Sequence, residues 1–175
     1  MVSSVFSRFS AFGFSGSRSS VPSGCSVAAA AVPSASRVFV GCARGVDSFF
    51  RGVFPGAAVF AASSFGAGRG SFARRSVAVV SAVGAAGGLW VAFPSSSCPA
   101  GLVPSASSSR CFSGLGSGTW ASLAFALGSG VPCLVWLGSL PCPSGWGLSP
   151  VSGCPGWFGC AVVCCAPVPV QLALF

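Results

Sequence analysis

The chain has 175 residues, enough for one domain with a buried core, but only 6% of them are charged where soluble domains carry about 25%. Its net charge of +8 comes from nine Arg against Asp47, which excludes any chemistry that needs two carboxylates. The 25 Gly and 13 Pro would interrupt regular elements. We therefore predict no stable globular fold, but a largely irregular, disordered low-complexity chain.

Composition divides the chain into three regions. Residues 1–75 form a basic region that is rich in Ser, Gly and Phe and has little periodicity. Residues 76–93 are apolar, and residues 94–175 are rich in Gly, Pro, Cys and Trp with Arg110 as their only charge. The first region is expected to stay irregular because it shows little periodicity, and the third is expected to be largely irregular apart from one short helix.

Residues 76–93 are predicted to form an apolar, transmembrane-like helix. The segment contains no charge and no Pro, and it follows Arg69, Arg74 and Arg75. Its length lies at the short end of the roughly 17–25 residues that span a bilayer. The Arg cluster would hold the N-terminal end of the helix in the cytoplasm. A membrane is therefore a possible partner of this segment. If the chain is expressed and the segment inserts, the membrane is also its expected location.

A second, shorter helix is predicted near residues 120–127. Thr119 is a suitable N-cap, and Gly128 is a suitable residue to end the helix. The apolar run continues beyond this point, but Pro132 would break or kink a longer helix.

The sequence predicts no catalytic, cofactor-binding or metal-binding residues. His, Lys, Glu and Tyr are absent, so no usual base can activate a Ser or Cys nucleophile, and we predict that the chain is not an enzyme. Gly is clustered at 66–70 and 114–118, but neither cluster has the GxGxxG spacing of a dinucleotide-binding turn. Neither cluster is therefore predicted to bind a cofactor.

Ten Cys offer no metal site, since no pair has CxxC spacing and no His can assist. Their share is also below the roughly 8–10% that is typical of disulfide scaffolds. Disulfides would be favoured only if residues 76–93 anchored the chain, so that the Cys-rich region faced an oxidising compartment.

The missing residue types point to the DNA. Lys, His, Tyr, Glu, Asn and Ile all need a codon that contains adenine, as do the three stop codons, so a strand poor in adenine stays open by chance. We interpret the chain as the product of a spurious or orphan open reading frame with no identifiable biochemical function. One alternative is a small single-span membrane protein anchored by residues 76–93.

The other alternative is a basic low-complexity chain that binds nucleic acid through its Arg side chains. Arg–Gly pairs at 44–45, 51–52 and 69–70 lie among Phe residues, and such side chains contact phosphates and stack on bases. The pairs are sparse, however, so nucleic acid is not favoured as a partner and none is identifiable.

Overall fold

The chain folds around a seven-stranded mixed sheet, which shows that the prediction of an irregular chain without a stable globular fold is wrong. The computed structural model describes residues 2–68 and 70–164; Met1, Arg69 and residues 165–175 lie outside the described part. The strands are β1 Ala11–Gly16, β2 Arg37–Gly41, β3 Ala58–Phe60, β4 Leu89–Phe93, β5 Cys133–Trp136, β6 Leu148–Pro150 and β7 Trp157–Cys160. The helices are α1 Val2–Phe6, α2 Gly24–Ala31, α3 Val46–Val53, α4 Gly70–Ala85, α5 Ser108–Cys111, α6 Gly118–Gly128 and α7 Ala161–Cys164, with a 3-10 turn at Ala62–Phe65.

The strand order is β3-β2-β1-β4-β5-β7-β6. Strands β1 to β5 run parallel to one another, whereas β7 runs antiparallel to both β5 and β6. The chain moves outward from β1 to β3 and then returns to the other side of β1 with β4. This is the 3-2-1-4-5 order of the doubly wound Rossmann fold, and the order reverses between β1 and β4.

Helices cover both faces of the sheet. Helices α1, α2 and α3 pack on what we call the first face, where Phe12, Phe14 and Val91 are buried. Helices α4 and α6 pack on the second face, where Trp90 and Ala92 are buried. All five residues of β4 are therefore buried, which explains why it reads as a continuous apolar run.

The predicted helix over residues 76–93 is wrong, because the segment is divided between helix α4 and strand β4. Gly87 adopts a left-handed conformation with a φ of +61°. The N–H of Gly88 donates to the carbonyl of Val83 over 2.9 Å, which is the bond that closes a Schellman turn. The chain therefore leaves the helix and enters the sheet within three residues.

This division also corrects the prediction of a transmembrane helix. Within residues 2–68 and 70–164, no helix has both the length and the apolar character needed to cross a bilayer. Helix α4 contains Arg74 and Arg75 and packs against β1, β2, β4 and α6. Its buried valines, Val79, Val80 and Val83, face protein, so their hydrophobicity is explained by packing.

The basic region is not the disordered, low-complexity stretch that its composition predicted. Residues 2–68 contain three strands and three helices, and their Phe side chains form much of the core. Some of its Gly residues lie where a side chain would not fit. At Gly24, for example, an added Cβ would lie 2.5 Å from the Trp136 ring. Composition alone misses such constraints because it carries no information on contacts between distant residues.

Helix α6 lies in the region where a short helix was expected. Ser117 rather than Thr119 is the N-cap residue, and Thr119 lies in the first turn, where its carbonyl accepts a 2.9 Å bond from the Ser122 hydroxyl. Residues 119–126 are all buried, as expected for a helix that is apolar on every side. Gly128 ends the helix against the backbone of Ser105, where a Cβ would not fit.

Candidate functional site

A cleft of about 880 Å³ opens at the carboxyl ends of the parallel strands. Its walls come from the segments that follow β1, β2 and β4 and from the first turns of α4 and α6. In open α/β sheets, ligands bind outside the carboxyl ends of the strands at the point where the strand order reverses. The volume is within the roughly 300–1,000 Å³ that is usual for small-molecule sites.

A buried ion pair borders the cleft. The Arg75 Nη1 donates to the Asp47 Oδ2 over 2.8 Å, and the backbone N–H of Ala43 donates to the same oxygen over 3.1 Å. Arg75 and Asp47 are 8% and 5% exposed, so both charges are largely removed from water. Among the described residues, the Arg75 Nε has no hydrogen-bond partner. A buried donor without an acceptor is costly, and a ligand oxygen is one group that would satisfy it.

The ion pair depends on the backbone around it. Asp47 lies in the first turn of α3, where the helix dipole favours a carboxylate. Arg75 reaches it from α4, and both side chains pass Gly41 at the end of β2. A Cβ at Gly41 would collide with the Arg75 Nη1 and the Asp47 Oδ2. Glycine is therefore required at the point where the two charges meet.

A glycine-rich loop, residues 114–118, forms the opposite part of the cleft and leads into α6. Gly114 and Gly116 have φ values of +87° and +135°, which favour glycine. The first backbone N–H groups of a helix have no partner within it, and the Ser117 side chain makes no capping bond to them. A Cβ at Gly118 would meet no protein atom within 4 Å, so the backbone there is open to a ligand.

The loop after β1 forms the rim of the cleft. The Ser17 hydroxyl oxygen accepts 3.2 Å bonds from the backbone N–H groups of Ser19 and Ser20, and these bonds turn the loop. The Arg18 guanidinium lies over the ring of Phe72 from α4, with 4.7 Å between its Cζ and the ring centroid. A cation and an aromatic ring therefore meet at the mouth of the cleft.

Cys111 is the cysteine that borders the cleft. It is buried, and its thiol donates to the Ser105 carbonyl over 3.3 Å. Burial raises the pKa of the Cys111 thiol, so its reactive thiolate is disfavoured at neutral pH. Cys111 and seven further cysteines within the described ranges, at positions 25, 42, 98, 133, 142, 154 and 160, are free thiols, and Cys165 lies outside those ranges. Those ranges hold no cluster of three or more His, Cys, Asp or Glu suited to a metal.

Several Arg side chains act as structural donors. Arg8 donates to the carbonyls of Val162 and Val163, Arg51 to the carbonyl of Gly41, and Arg74 to the carbonyl of Phe65. A chain with few polar side chains thus uses guanidinium groups to satisfy its backbone. These Arg are engaged within the protein, and among the described residues Arg18 and Arg75 are the cations that line the cleft.

The structure brings together features that the sequence analysis had set aside. Gly70 belongs to the first Gly cluster and residues 114–118 are the second, and both border the cleft although neither has the expected spacing. Each cluster directly precedes a helix, and that was the signal available in the sequence. Arg18 and Arg75 carried no sequence signal, because only the fold brings them to one site. We found no family model, curated protein or solved structure that matches this chain.

Proposed function

We propose that the chain binds a small phosphorylated molecule in the cleft at the reversal of strand order. The observation that carries this proposal is that the open first turn of α6 borders the same cleft as Arg75, a buried cation whose Nε has no partner among the described residues. The N-terminus of a helix attracts anions because its N–H groups and its dipole both favour negative charge. A phosphate would satisfy both features.

The surrounding residues also favour a phosphate. Gly-rich turns allow the backbone to approach phosphate oxygens closely, and residues 114–118 provide such a turn. Gly118 itself does not have a positive φ. Ser15, Ser17 and Ser95 also line the cleft, so its walls are polar near the strand ends. Because Asp47 is paired with Arg75, no unpaired carboxylate of the described residues would repel an anion there.

We further propose that the protein binds this ligand without catalysing proton transfer. Asp47 is the only carboxylate side chain in the sequence, and it is held in the ion pair with Arg75. No His is present, and burial raises the pKa of the Cys111 thiol. The cleft therefore contains recognition groups but lacks the usual acid–base groups.

Two sequence-based hypotheses stay predictions. An origin in adenine-poor DNA concerns the gene, and synonymous codon bias at the third codon position would test it. Binding of nucleic acid by a basic chain is less favoured by the geometry, because Arg8, Arg51 and Arg74 donate to backbone carbonyls. Fluorescence anisotropy with single-stranded and duplex oligonucleotides tests it directly.

The binding proposal is tested by calorimetric titration with inorganic phosphate, ribose 5-phosphate and the four nucleoside 5′-monophosphates. Gly118→Ala adds one methyl group beside the cleft without colliding with the protein. Gly52→Ala is the matched control, since it also lies in a helix and meets no atom within 4 Å, but is outside the cleft. We expect about a tenfold or larger loss of affinity for Gly118→Ala, equivalent to about 1.4 kcal/mol.

The control variant should bind like the wild type, and both variants should melt at or slightly above the wild-type temperature because Ala favours helix over Gly. Two results would contradict the proposal: a wild-type protein that binds none of the six ligands, or equal affinity of wild type and Gly118→Ala for every ligand that binds.

A further inference from the structure

We infer that Arg18 and Phe72 form a subsite for a nucleobase, so that the ligand is a nucleoside phosphate rather than a sugar phosphate. This inference rests on the proposed function, because the phosphate would anchor the ligand at residues 114–118. The two side chains define the rim subsite, and they come from different parts of the fold. Arg18 follows β1, and Phe72 lies in the first turn of α4.

Phe72 is exposed, whereas the other aromatic rings of the described residues are buried or half-buried. Its exposed fraction is 39%, whereas Phe6, Phe12 and Phe50 are fully buried. The ring lies at the wall of the cleft, not on a remote surface. An aromatic face that opens onto a polar cleft is suited to stacking against a planar group.

Arg18 already occupies that ring face. Its Cζ lies 4.7 Å from the Phe72 centroid, so the ring accepts a flat, delocalised group in this position. Within residues 2–68 and 70–164, the Arg18 side chain makes no ion pair or hydrogen bond. Asp47, the only carboxylate side chain of the chain, is taken by Arg75. Within the described ranges, no polar contact therefore ties the guanidinium to its place over the ring, and we infer that a base could displace it.

The chemistry of the pair favours a base over a sugar. Bases stack on aromatic rings and on the planes of Arg guanidinium groups, and the two surfaces here face each other. A base that enters between them would gain both contacts, whereas ribose has no flat π surface and would gain neither. Residues 114–118, Arg18 and Phe72 line one cleft of about 880 Å³, a volume usual for small-molecule sites, so we place the phosphate at residues 114–118 and the base at the rim subsite.

The test compares nucleoside 5′-monophosphates with ribose 5-phosphate by calorimetric titration. Phe72→Leu removes the ring but keeps an apolar side chain, and Phe72→Trp enlarges the stacking surface. Phe65→Leu is the matched control, because Phe65 is half-buried just before α4 and does not line the cleft. We expect Phe72→Leu to weaken nucleotide binding about 5- to 100-fold and to leave the affinity for ribose 5-phosphate unchanged.

Phe72→Trp should bind nucleotides at least as tightly as the wild type, and Phe65→Leu should match the wild type for both ligands. Arg18→Lys keeps the charge but loses the planar surface, so it should weaken nucleotide binding more than ribose 5-phosphate binding. Equal affinity of wild type and Phe72→Leu for nucleotides would overturn the base subsite. Ribose 5-phosphate binding would then still support the phosphate site, whereas failure of both ligands to bind the wild type would overturn the proposed function itself.

Discussion

The two faces of the sheet differ in what they bury. On the first face, Phe6, Phe12, Phe14 and Phe50 are fully or almost fully buried, and neighbouring rings stack nearly parallel. On the second face, α4 and α6 cover buried Trp rings but also supply the first turns that border the cleft. The comparison shows that both faces bury apolar side chains, but that the second face also supplies two of the helix first turns that border the cleft.

The largest effect is expected for Phe50→Ala on the first face. The Phe50 ring lies 3.8 Å from that of Phe14 and 5.6 Å from that of Phe93, measured between centroids. Its removal should lower the free energy of unfolding by about 3–5 kcal/mol, as measured by urea denaturation. Phe49→Ala removes a half-buried ring from the same helix and should cost less. Equal losses for the two variants would show that Phe50 is not a centre of the core.

The next effect is expected for Arg75→Met, which leaves the buried Asp47 carboxylate unpaired. Removing one partner of a buried ion pair lowers the free energy of unfolding by about 3–5 kcal/mol. We expect a loss at the lower end of this range, because the pair borders the cleft. The double variant Asp47→Asn with Arg75→Met should recover part of the loss, because no buried charge remains. The single variant Asp47→Asn completes the comparison. If the losses in unfolding free energy of Arg75→Met and Asp47→Asn simply add in the double variant, the two side chains are not coupled.

A smaller effect is expected for Gly87→Ala between α4 and β4. The φ of +61° at Gly87 would place an Ala in the left-handed region, at a cost of about 1–2 kcal/mol. Gly52→Ala, whose φ is not positive, is the control and should not destabilise the protein. An unchanged melting temperature for Gly87→Ala would contradict the turn that separates helix from strand.

The smallest expected change is chemical and concerns Cys25 on the first face. Cys25 is fully buried, and burial raises the pKa of its thiol to about 12. At pH 8 the native protein should therefore leave Cys25 unmodified by iodoacetamide, whereas the half-buried Cys160 reacts sooner. Mass spectrometry of the labelled peptides measures both rates, with urea-unfolded protein as the control. Rapid native labelling of Cys25 would contradict the packing of the first face.

Some of the fold could be predicted from the sequence, and the failures have identifiable physical causes. The apolar run in β4 resembles a membrane helix because a parallel strand buried on both faces shows no alternation. The signal that divides the segment is Gly87 with Gly88, where a Schellman turn fits better than a continuous helix. The low content of charged residues also led to the wrong prediction of an irregular chain. In this protein, Arg guanidinium groups donate hydrogen bonds to backbone carbonyls, and backbone groups bond to one another, without Glu or Lys.

The candidate site was harder to predict. The Gly cluster at 114–118 directly precedes α6, so an anion site there was within reach of sequence reasoning. The pairing of Asp47 with Arg75 was not, because the two residues meet only when β2 and α4 are placed side by side. Strands β1, β4 and β5 come from three compositionally different regions and are neighbours in the sheet. Composition therefore could not show which residues share the cleft.

The most direct test is to map the ligand site by nuclear magnetic resonance. The backbone amide signals of the isotope-labelled protein are followed during titration with a nucleoside 5′-monophosphate. We predict shifts concentrated at residues 15–19, 70–76 and 114–120, with the largest in the first turn of α6 and none among the buried residues of α2. Absence of shifts at millimolar ligand, or shifts centred on the first face, would contradict binding at the reversal of strand order.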